Sequence, residues 1–117
     1  MKIKVRNETR KTVLAEAADV ADTSAKRRTG LLKHTGLEAG EGLWIRPCES
    51  VHTFFMKFPI DLVYLDKRLT VRKVRHAVPA WRLSACLSAH SVLELPAGMA
   101  EQTRTAVGDV LAMEPLG

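Results

Sequence analysis

The residues best suited to chemistry lie in one apolar stretch of the chain, residues 51–66. His52, Thr53 and Asp61 occupy positions in it where a core strand would carry only hydrocarbon. A buried polar group without a partner costs about 1–3 kcal/mol by mutational estimates. The three side chains therefore indicate either a structural polar network or a functional site.

Acid–base chemistry is the functional interpretation of this stretch. If the segments on either side of Pro59 form a hairpin, His52 and Asp61 approach each other, and the carboxylate fixes the tautomer of an imidazole that acts as general base. Cys48, with three residues between it and His52, is a candidate nucleophile if the imidazole lies within hydrogen-bonding reach. A buried hydrogen-bonded pair that fixes strand register is the favoured alternative.

A second candidate region is Glu94, which stands between two leucines and precedes Gly98. Its carboxylate is expected to accept a structural hydrogen bond or to pair with an arginine such as Arg28 or Arg82. The functional alternative is a carboxylate in a polar pocket. Gly98 favours a turn that needs a positive φ over direct ligand contact. The full set of candidate ligand-binding residues is His52, Thr53, Met56, Asp61, Glu94, Gly98 and Arg28.

The sequence contains no motif for a metal, a phosphate or a dinucleotide. Cys48 and His52 lack a second close pair of soft ligands that would complete a tetrahedral zinc site. There is also no phosphate loop, dinucleotide fingerprint or serine elbow. We therefore predict no metal and no cofactor. The aromatic residues Phe54, Phe55 and Phe58 are expected in the core rather than in a stacking platform.

Short strands and one helix must position these residues. Asp22-Thr23-Ser24 is an N-cap cluster that predicts a helix from about Ser24 to Lys33, with Gly30 inside it. Apolar patterning predicts strands over about 3–5, 13–15, 42–45, 51–56, 60–65, 69–77, 91–95 and 110–113, and one helical turn near 99–103. The strand over 69–77 has no purely apolar face, which is typical of an edge strand.

These elements predict an α+β, β-rich fold. About seven or eight short strands would form a strongly bent sheet or partly closed barrel, with one or two short helices. The 117 residues fit a single domain, 1–117.

Composition limits the partners and the location. The net charge is +5, but the basic residues are dispersed, which favours a soluble basic surface over a nucleic-acid footprint. No stretch reaches the roughly 20 apolar residues of a membrane span, and the N-terminus lacks the apolar segment of a signal peptide. We expect a cytoplasmic protein with reduced cysteines, no membrane partner, and a monomeric or small homo-oligomeric state.

Several ordered segments resemble the family called domain of unknown function 192. Residues 28–32, Arg-Thr-Gly-Leu-Leu, are similar to its arginine-x-glycine-leucine-methionine segment, with Leu32 in place of methionine. Residues 42–45, 51–61, 92–98 and 108–109 resemble its further segments, the second of these in a histidine-threonine variant. The resemblance covers most of the chain and implies a compact β-rich fold. It implies no activity.

The sequence leaves three functions open. The leading hypothesis is a small intracellular binding or accessory domain that holds a small molecule or peptide in a polar groove around His52, Asp61 and Glu94. The second is a hydrolase-like acid–base enzyme that uses His52 with Asp61 or Cys48. The third is weak nucleic-acid binding through the basic residues at 26–28 and 72–75.

Overall fold

The structure, a computed structural model, describes residues 1–32 and 34–117. Within these residues the chain forms nine strands and two short helices. In chain order they are β1 (Lys2–Asn7), β2 (Thr12–Ala21), α1 (Ser24–Thr29), β3 (Glu41–Ile45), β4 (Ser50–His52), β5 (Ile60–Leu65), β6 (Val71–Val78), β7 (Leu83–Ala85), β8 (Ser91–Pro96), α2 (Met99–Gln102) and β9 (Leu111–Pro115). The predicted β-rich α+β class is confirmed.

Seven strands form one curled sheet in the order β6-β5-β8-β3-β2-β1-β9, while β4 and β7 form a separate two-stranded ribbon. Neighbouring strands are antiparallel except β2 and β3, which are parallel. The two ends of the sheet approach each other, because Thr70 and Val110 form a β-bridge and the Leu111 N–H donates to the Leu69 carbonyl at 2.9 Å. The sheet is therefore a half-barrel with β6 at one edge, which confirms the predicted bend and edge strand.

The core consists of two hydrophobic clusters, and alternate residues of β8 contribute to each. Leu93 and Leu95 belong to the first cluster, whereas Val92 belongs to the second. Because successive strand residues point to opposite faces, Glu94 shares a face with Val92. A carboxylate thus takes a position where the fold otherwise places hydrocarbon.

Two segments cover the second cluster from outside the sheet. One is α1 with the turn after it, where Leu31 is buried in the cluster. The other is the β4–β7 ribbon and the loop after β4, where Val51 and Met56 pack against the same cluster. A cleft lies between these two covers.

Helix α1 is shorter than the sequence predicts. Thr23 caps its start, with Oγ1 accepting from the Lys26 N–H at 3.2 Å. Gly30 ends it with a φ of 49°, and the Gly30 N–H donates to the Lys26 carbonyl. Gly30 is therefore a helix terminator rather than an interior residue. Lys33, the predicted last residue, lies outside the described residues.

The predicted strand over 51–56 and the predicted hairpin after it are wrong. β4 ends at His52, and Phe55 has a positive φ of 65°, which interrupts any extended backbone. β4 pairs with β7, whereas β5 pairs with β6 and β8. The sequence did not predict β7, because its three residues are too few for a period of two to be recognised.

Candidate functional site

A cleft of about 480 Å³ lies between α1 and the β4–β7 ribbon and reaches down to β8. Its apolar walls come from the turn after α1, from β3, from β4 and from the loop after β4. Its charged or polar side chains come mainly from α1, from the segment before β4, and from β8. The apolar wall residues include Leu31, Ile45, Val51 and Met56, and the polar ones include Arg27, Arg28, Cys48, His52 and Glu94.

Glu94 is the deepest ionisable group of the cleft. It stands on β8 between β3 and β5, opposite Leu43 and Leu62 in the two ladders, and it is only 5% exposed. Among residues 1–32 and 34–117, no side chain or backbone group forms a hydrogen bond or ion pair with its carboxylate. Burial disfavours the charged form and raises the pKa of Glu94 from 4.5 to about 7. The predicted pairing with Arg28 or Arg82 is absent in this part of the chain.

Two arginines of α1 line the outer part of the cleft. Arg27 donates long hydrogen bonds to the Asp22 carbonyl at 3.3 Å and to Ser24 Oγ at 3.4 Å. Arg28 is exposed, and within the residues that the structure describes its guanidinium has no hydrogen bond or ion pair. Both guanidiniums are therefore available to an acidic group that enters the cleft.

Cys48 is half-buried and also lines the cleft. Its Sγ donates to the Ser50 carbonyl at 3.1 Å. Burial raises the pKa of the Cys48 thiol, and the interaction with the Ser50 backbone and the positive charge of Arg27 only partly oppose that rise. Because the thiolate is the nucleophilic form, this environment disfavours Cys48 as a nucleophile.

His52 lies at the rim of the cleft and begins a row of stacked rings. Its ring centroid lies 5.0 Å from that of Phe54, which lies 5.4 Å from Trp81, and Phe55 meets Trp81 edge-on at 4.7 Å. Phe55 and Trp81 are 68% and 56% exposed. The expectation of a core position is thus wrong for Phe55, and His52 is exposed rather than protected within a strand.

Thr53 is the residue that fixes this aromatic row. Its buried hydroxyl donates to the Pro79 carbonyl at 2.6 Å and accepts from the Arg82 N–H at 2.9 Å. Its backbone carbonyl accepts from the N–H groups of Met56 and Trp81, each at 3.1 Å. Thr53 therefore joins the loop after β4 to the loop before β7, and it does so without lining the cleft.

Asp61 lies away from the cleft and holds the backbone together. Its Oδ1 accepts from the Ala77 N–H at 2.8 Å, and its Oδ2 accepts from the N–H groups of Gly98 at 3.1 Å and Ala100 at 2.8 Å. Gly98 has a φ of 95° and turns the chain into α2. No hydrogen bond joins Asp61 to His52 in the described part of the chain, so the structure does not form the predicted acid–base pair.

The structure thus groups the candidate residues differently from the sequence. It brings His52, Met56, Glu94, Arg28 and Cys48 to one cleft, and it leaves Thr53, Asp61 and Gly98 in structural roles outside it. Sequence reasoning missed the Arg27 side chain and the Leu31 wall as parts of the site. The signal was the cap at Thr23, which fixes where α1 begins and therefore which residues of its last turn share one side.

Among the described residues there is no cluster of three or more His, Cys, Asp or Glu side chains that could hold a metal ion. Neither of the two helices found there has the length and hydropathy that a bilayer span requires.

The half-barrel fold is shared with solved structures. One is a protein from Sinorhizobium meliloti 1021 named as a candidate transcription regulator, with a TM-score of 0.83, 16% identity, and coverage of 96% of this chain and 92% of that chain. Another is a protein of unknown function from Novosphingobium aromaticivorans DSM 12444, with a TM-score of 0.79, 19% identity, and coverage of 96% and 84%. At these identities the likeness shows the fold alone, which defines the class as a β-rich half-barrel.

Sequence comparison identifies the family within that class. The family model DUF192, described as "Uncharacterized ACR", matches residues 3–113. A UPF0127 protein from Thermococcus sibiricus (strain DSM 12597 / MM 739) is 30% identical over 114 residues, which cover 92% of this chain and 73% of that protein. The chain therefore belongs to the DUF192 family, as the resemblance indicated. The function of this family is not established.

Proposed function

We propose that this protein binds a small molecule in the cleft above Glu94. The observation that carries the proposal is the carboxylate itself, which is 5% exposed, lines the cleft, and has no hydrogen-bonding or ionic partner among the described residues. The groove of the leading hypothesis is kept, but Asp61 is no longer part of it.

The energetic cost of Glu94 supports a functional role. A rise in pKa from 4.5 to about 7 corresponds to about 3 kcal/mol between the two protonation states. An apolar residue at the same position would continue the second hydrophobic cluster and avoid this cost. Groups that cost stability and line a cleft are typical of functional sites.

Asp61 provides the contrast within the same chain. It is fully buried, yet three backbone N–H groups donate to its carboxylate. A buried acid with a structural role has its acceptors satisfied. Glu94 lacks such donors among the described residues, and a bound ligand would supply them.

The dimensions and walls of the cleft suit a metabolite. Ligand pockets commonly enclose about 300–1,000 Å³ and combine apolar walls with a few polar groups. The cleft has a volume of about 480 Å³ and includes Leu31, Ile45 and Met56 in its walls. We therefore infer a ligand of metabolite size rather than a macromolecule.

Acid–base catalysis in the same cleft is the second candidate function. The observation that favours it is the pKa of about 7 for Glu94, since a group that titrates near neutral pH can both accept and donate a proton. Glu94 would then take the general acid–base role that the sequence suggested for His52, which lies at the rim. Cys48 has less support because burial raises the pKa of its thiol.

Nucleic-acid binding has less support than either. Arg27 and Arg28 line the cleft instead of extending a continuous basic surface. On β6, Arg72 lies 3.9 Å from Asp66, and Lys73 Nζ donates to the Ala85 carbonyl at 2.7 Å. The description of the Sinorhizobium meliloti protein as a candidate transcription regulator remains a statement about that protein.

Backbone-amide NMR of the labelled protein tests the binding proposal. A panel of purified amino acids, carboxylic acids, sugars and nucleotides is added compound by compound. We expect at least one compound to shift the amides of Arg28, Cys48 and Glu94 saturably. E94Q should weaken that compound's binding about tenfold, while E101Q, at an exposed position, leaves it unchanged.

Two results would contradict the proposal. One is that no compound of the panel gives a saturable shift at these amides. The other is that E94Q binds the compound as tightly as the wild type does. Incubating each binding compound at saturating concentration with wild type and with E94Q separates binding from catalysis, because binding alone leaves the compound unchanged, whereas catalysis by Glu94 converts it with the wild type and not with E94Q.

A further inference from the structure

We propose that the ligand of this cleft is an amino-acid-like zwitterion, whose ammonium group binds Glu94, whose acidic group binds the α1 arginines, and whose body is aliphatic. This inference rests on the proposed binding function and names its ligand class. It follows from three features of the cleft, one at its base, one at its mouth and one on its walls.

At the base of the cleft, the Glu94 carboxylate needs hydrogen-bond donors from a ligand. An ionised carboxylate only accepts hydrogen bonds, and Glu94 receives none from the described residues. Burial raises its pKa, and no cation of the described residues contributes to the shift. A ligand ammonium group brings both a positive charge and three donors, so it satisfies the lone pairs and restores the charged form.

At the mouth of the cleft, the guanidinium groups of Arg27 and Arg28 are suited to bind an acidic group. Arg28 has no ion pair or hydrogen bond within the described residues, and the two hydrogen bonds of Arg27 are long. The planar guanidinium fork matches a carboxylate or phosphate in a bidentate manner. The two arginines at the mouth would therefore bind the acidic group of a zwitterion, and Glu94 at the base would bind its ammonium group.

Much of the remaining wall of the cleft is apolar. Leu31 is buried, and Ile45, Val51 and Met56 also line the cleft. Polar groups on the body of the ligand would lie against these walls without partners, whereas a hydrocarbon side chain would not. The walls therefore favour amino acids with hydrocarbon bodies over polar ones.

Three matched probes test this ligand class by titration calorimetry. L-Leucine carries both charges, 4-methylpentanoate lacks the amine, and 3-methylbutylamine lacks the acid. We expect L-leucine to bind about tenfold or more tighter than either of the others, since a single charge-assisted contact is worth about 1.4 kcal/mol or more.

Variants then assign each charge to its partner. E94Q should weaken L-leucine and 3-methylbutylamine about tenfold and leave 4-methylpentanoate unchanged. R28Q should weaken L-leucine and 4-methylpentanoate and leave the amine unchanged. R68Q removes an exposed arginine from outside the cleft and should alter none of the three affinities.

The outcomes separate this inference from the binding proposal. Equal binding of all three probes, or loss of L-leucine binding in neither E94Q nor R28Q, overturns the zwitterion. If none of the three binds while another compound of the NMR panel binds at Glu94, the zwitterion is overturned and the binding proposal stands. If no compound binds at all, both fail together.

Discussion

Three buried acids of this protein differ in what surrounds their carboxylates. Asp61 accepts three backbone hydrogen bonds, and Asp109 accepts from Asn7, Arg10 and Ala106. Glu94 accepts none from the described residues, although it is nearly as buried. At the residue scale this difference sets Glu94 apart from the two acids that hold backbone or side-chain donors, because burial raises its pKa with no compensating donor among the described residues.

Glu94 should reverse the usual effect of pH on stability. Its pKa is about 7 in the folded protein and 4.5 in the reference state. As pH rises from 4.5 to 7, the unfolded state loses its proton first, so the folded state loses up to about 3 kcal/mol of relative stability. Above pH 7 the loss is complete, and below pH 4.5 it is absent.

E94Q should therefore be more stable than the wild type at pH 8, by up to about 3 kcal/mol, and nearly equal to it at pH 4. Urea unfolding at both pH values measures this difference. E101Q, on the exposed surface, should show no such dependence. An E94Q protein that is less stable than the wild type at pH 8 would mean that the fold itself uses the carboxylate.

Asp61 should behave in the opposite way. D61N turns one acceptor oxygen into a donor that faces backbone N–H groups, and we expect it to cost about 2–3 kcal/mol of unfolding free energy. Urea unfolding at pH 7 gives the value, with D22N at an exposed position as the control. A D61N protein as stable as the wild type would contradict the structural role assigned to Asp61.

At the element scale, the β4–β7 ribbon and its loops position one wall of the cleft. The ribbon has only three residues in each strand, so its own hydrogen bonds contribute little. Thr53 reinforces it through its hydroxyl and backbone, and it holds Phe55 and Trp81 at positive φ values of 65° and 64°. Such backbone conformations are costly for large residues and persist only where surrounding contacts enforce them.

T53V should make the loops of the β4–β7 ribbon more mobile. It keeps the side-chain shape but removes the hydroxyl that joins Pro79 and Arg82, at an expected cost of about 1–3 kcal/mol. The Trp81 emission, measured in a W44F background, should move to longer wavelength as the ring becomes more hydrated. T53S keeps the hydroxyl and should retain the wild-type emission; identical spectra for T53V and wild type would rule out the proposed role.

The sequence predicted the regular elements better than the ribbon. β5 was predicted with its observed bounds, because five of its six residues are hydrophobic and Pro59 precedes it. The helix start was predicted from the Thr23 cap. The stretch after His52 was misread because Phe54 and Phe55 have strong strand propensity, whereas hydrogen bonds from Thr53 to residues 79–82 decide its conformation.

At the whole-molecule scale, the sheet is closed by residues far apart in the chain. Asn7 Nδ2 and Arg10 Nε donate to Asp109 Oδ2, each at 3.0 Å, and link β1 to the turn before β9. About a hundred positions separate these partners, so no local pattern predicts the contact. The cleft could not be predicted from a local pattern either, because α1, β4 and β8 are far apart in the chain and come together only in the folded protein. The bent sheet was predictable from strand lengths, and the grouping of side chains was not.

Asp109 should make the stability of the closed sheet depend on pH in the acid range. Burial alone would raise its pKa, but hydrogen bonds from Asn7, Ala106 and Arg10 outweigh burial and hold the pKa below 3.8. The stabilisation from Asp109 is therefore fully present above pH 3.8 and is lost as the pH falls through the lower folded value.

D109N should accordingly cost about 2 kcal/mol at pH 7, and the difference from wild type should shrink below pH 3.8. Urea unfolding at pH 7 and pH 3 measures both values. E38Q, at an exposed position, serves as the control. A D109N deficit that is unchanged at pH 3 would contradict the assignment of that stability to the ionised carboxylate.

The titration of the Glu94 carboxyl carbon by NMR tests the central claim most directly. The Cδ resonance of Glu94, assigned by its loss in E94Q, is followed from pH 4 to pH 9 in the wild-type protein. A buried carboxylate that has no partner among the described residues predicts a midpoint near 7 and, once a cationic ligand is bound, a shift of that midpoint to lower pH. A midpoint near 4.5 in the ligand-free protein would contradict the claim, because it would mean that water or a protein group already satisfies Glu94.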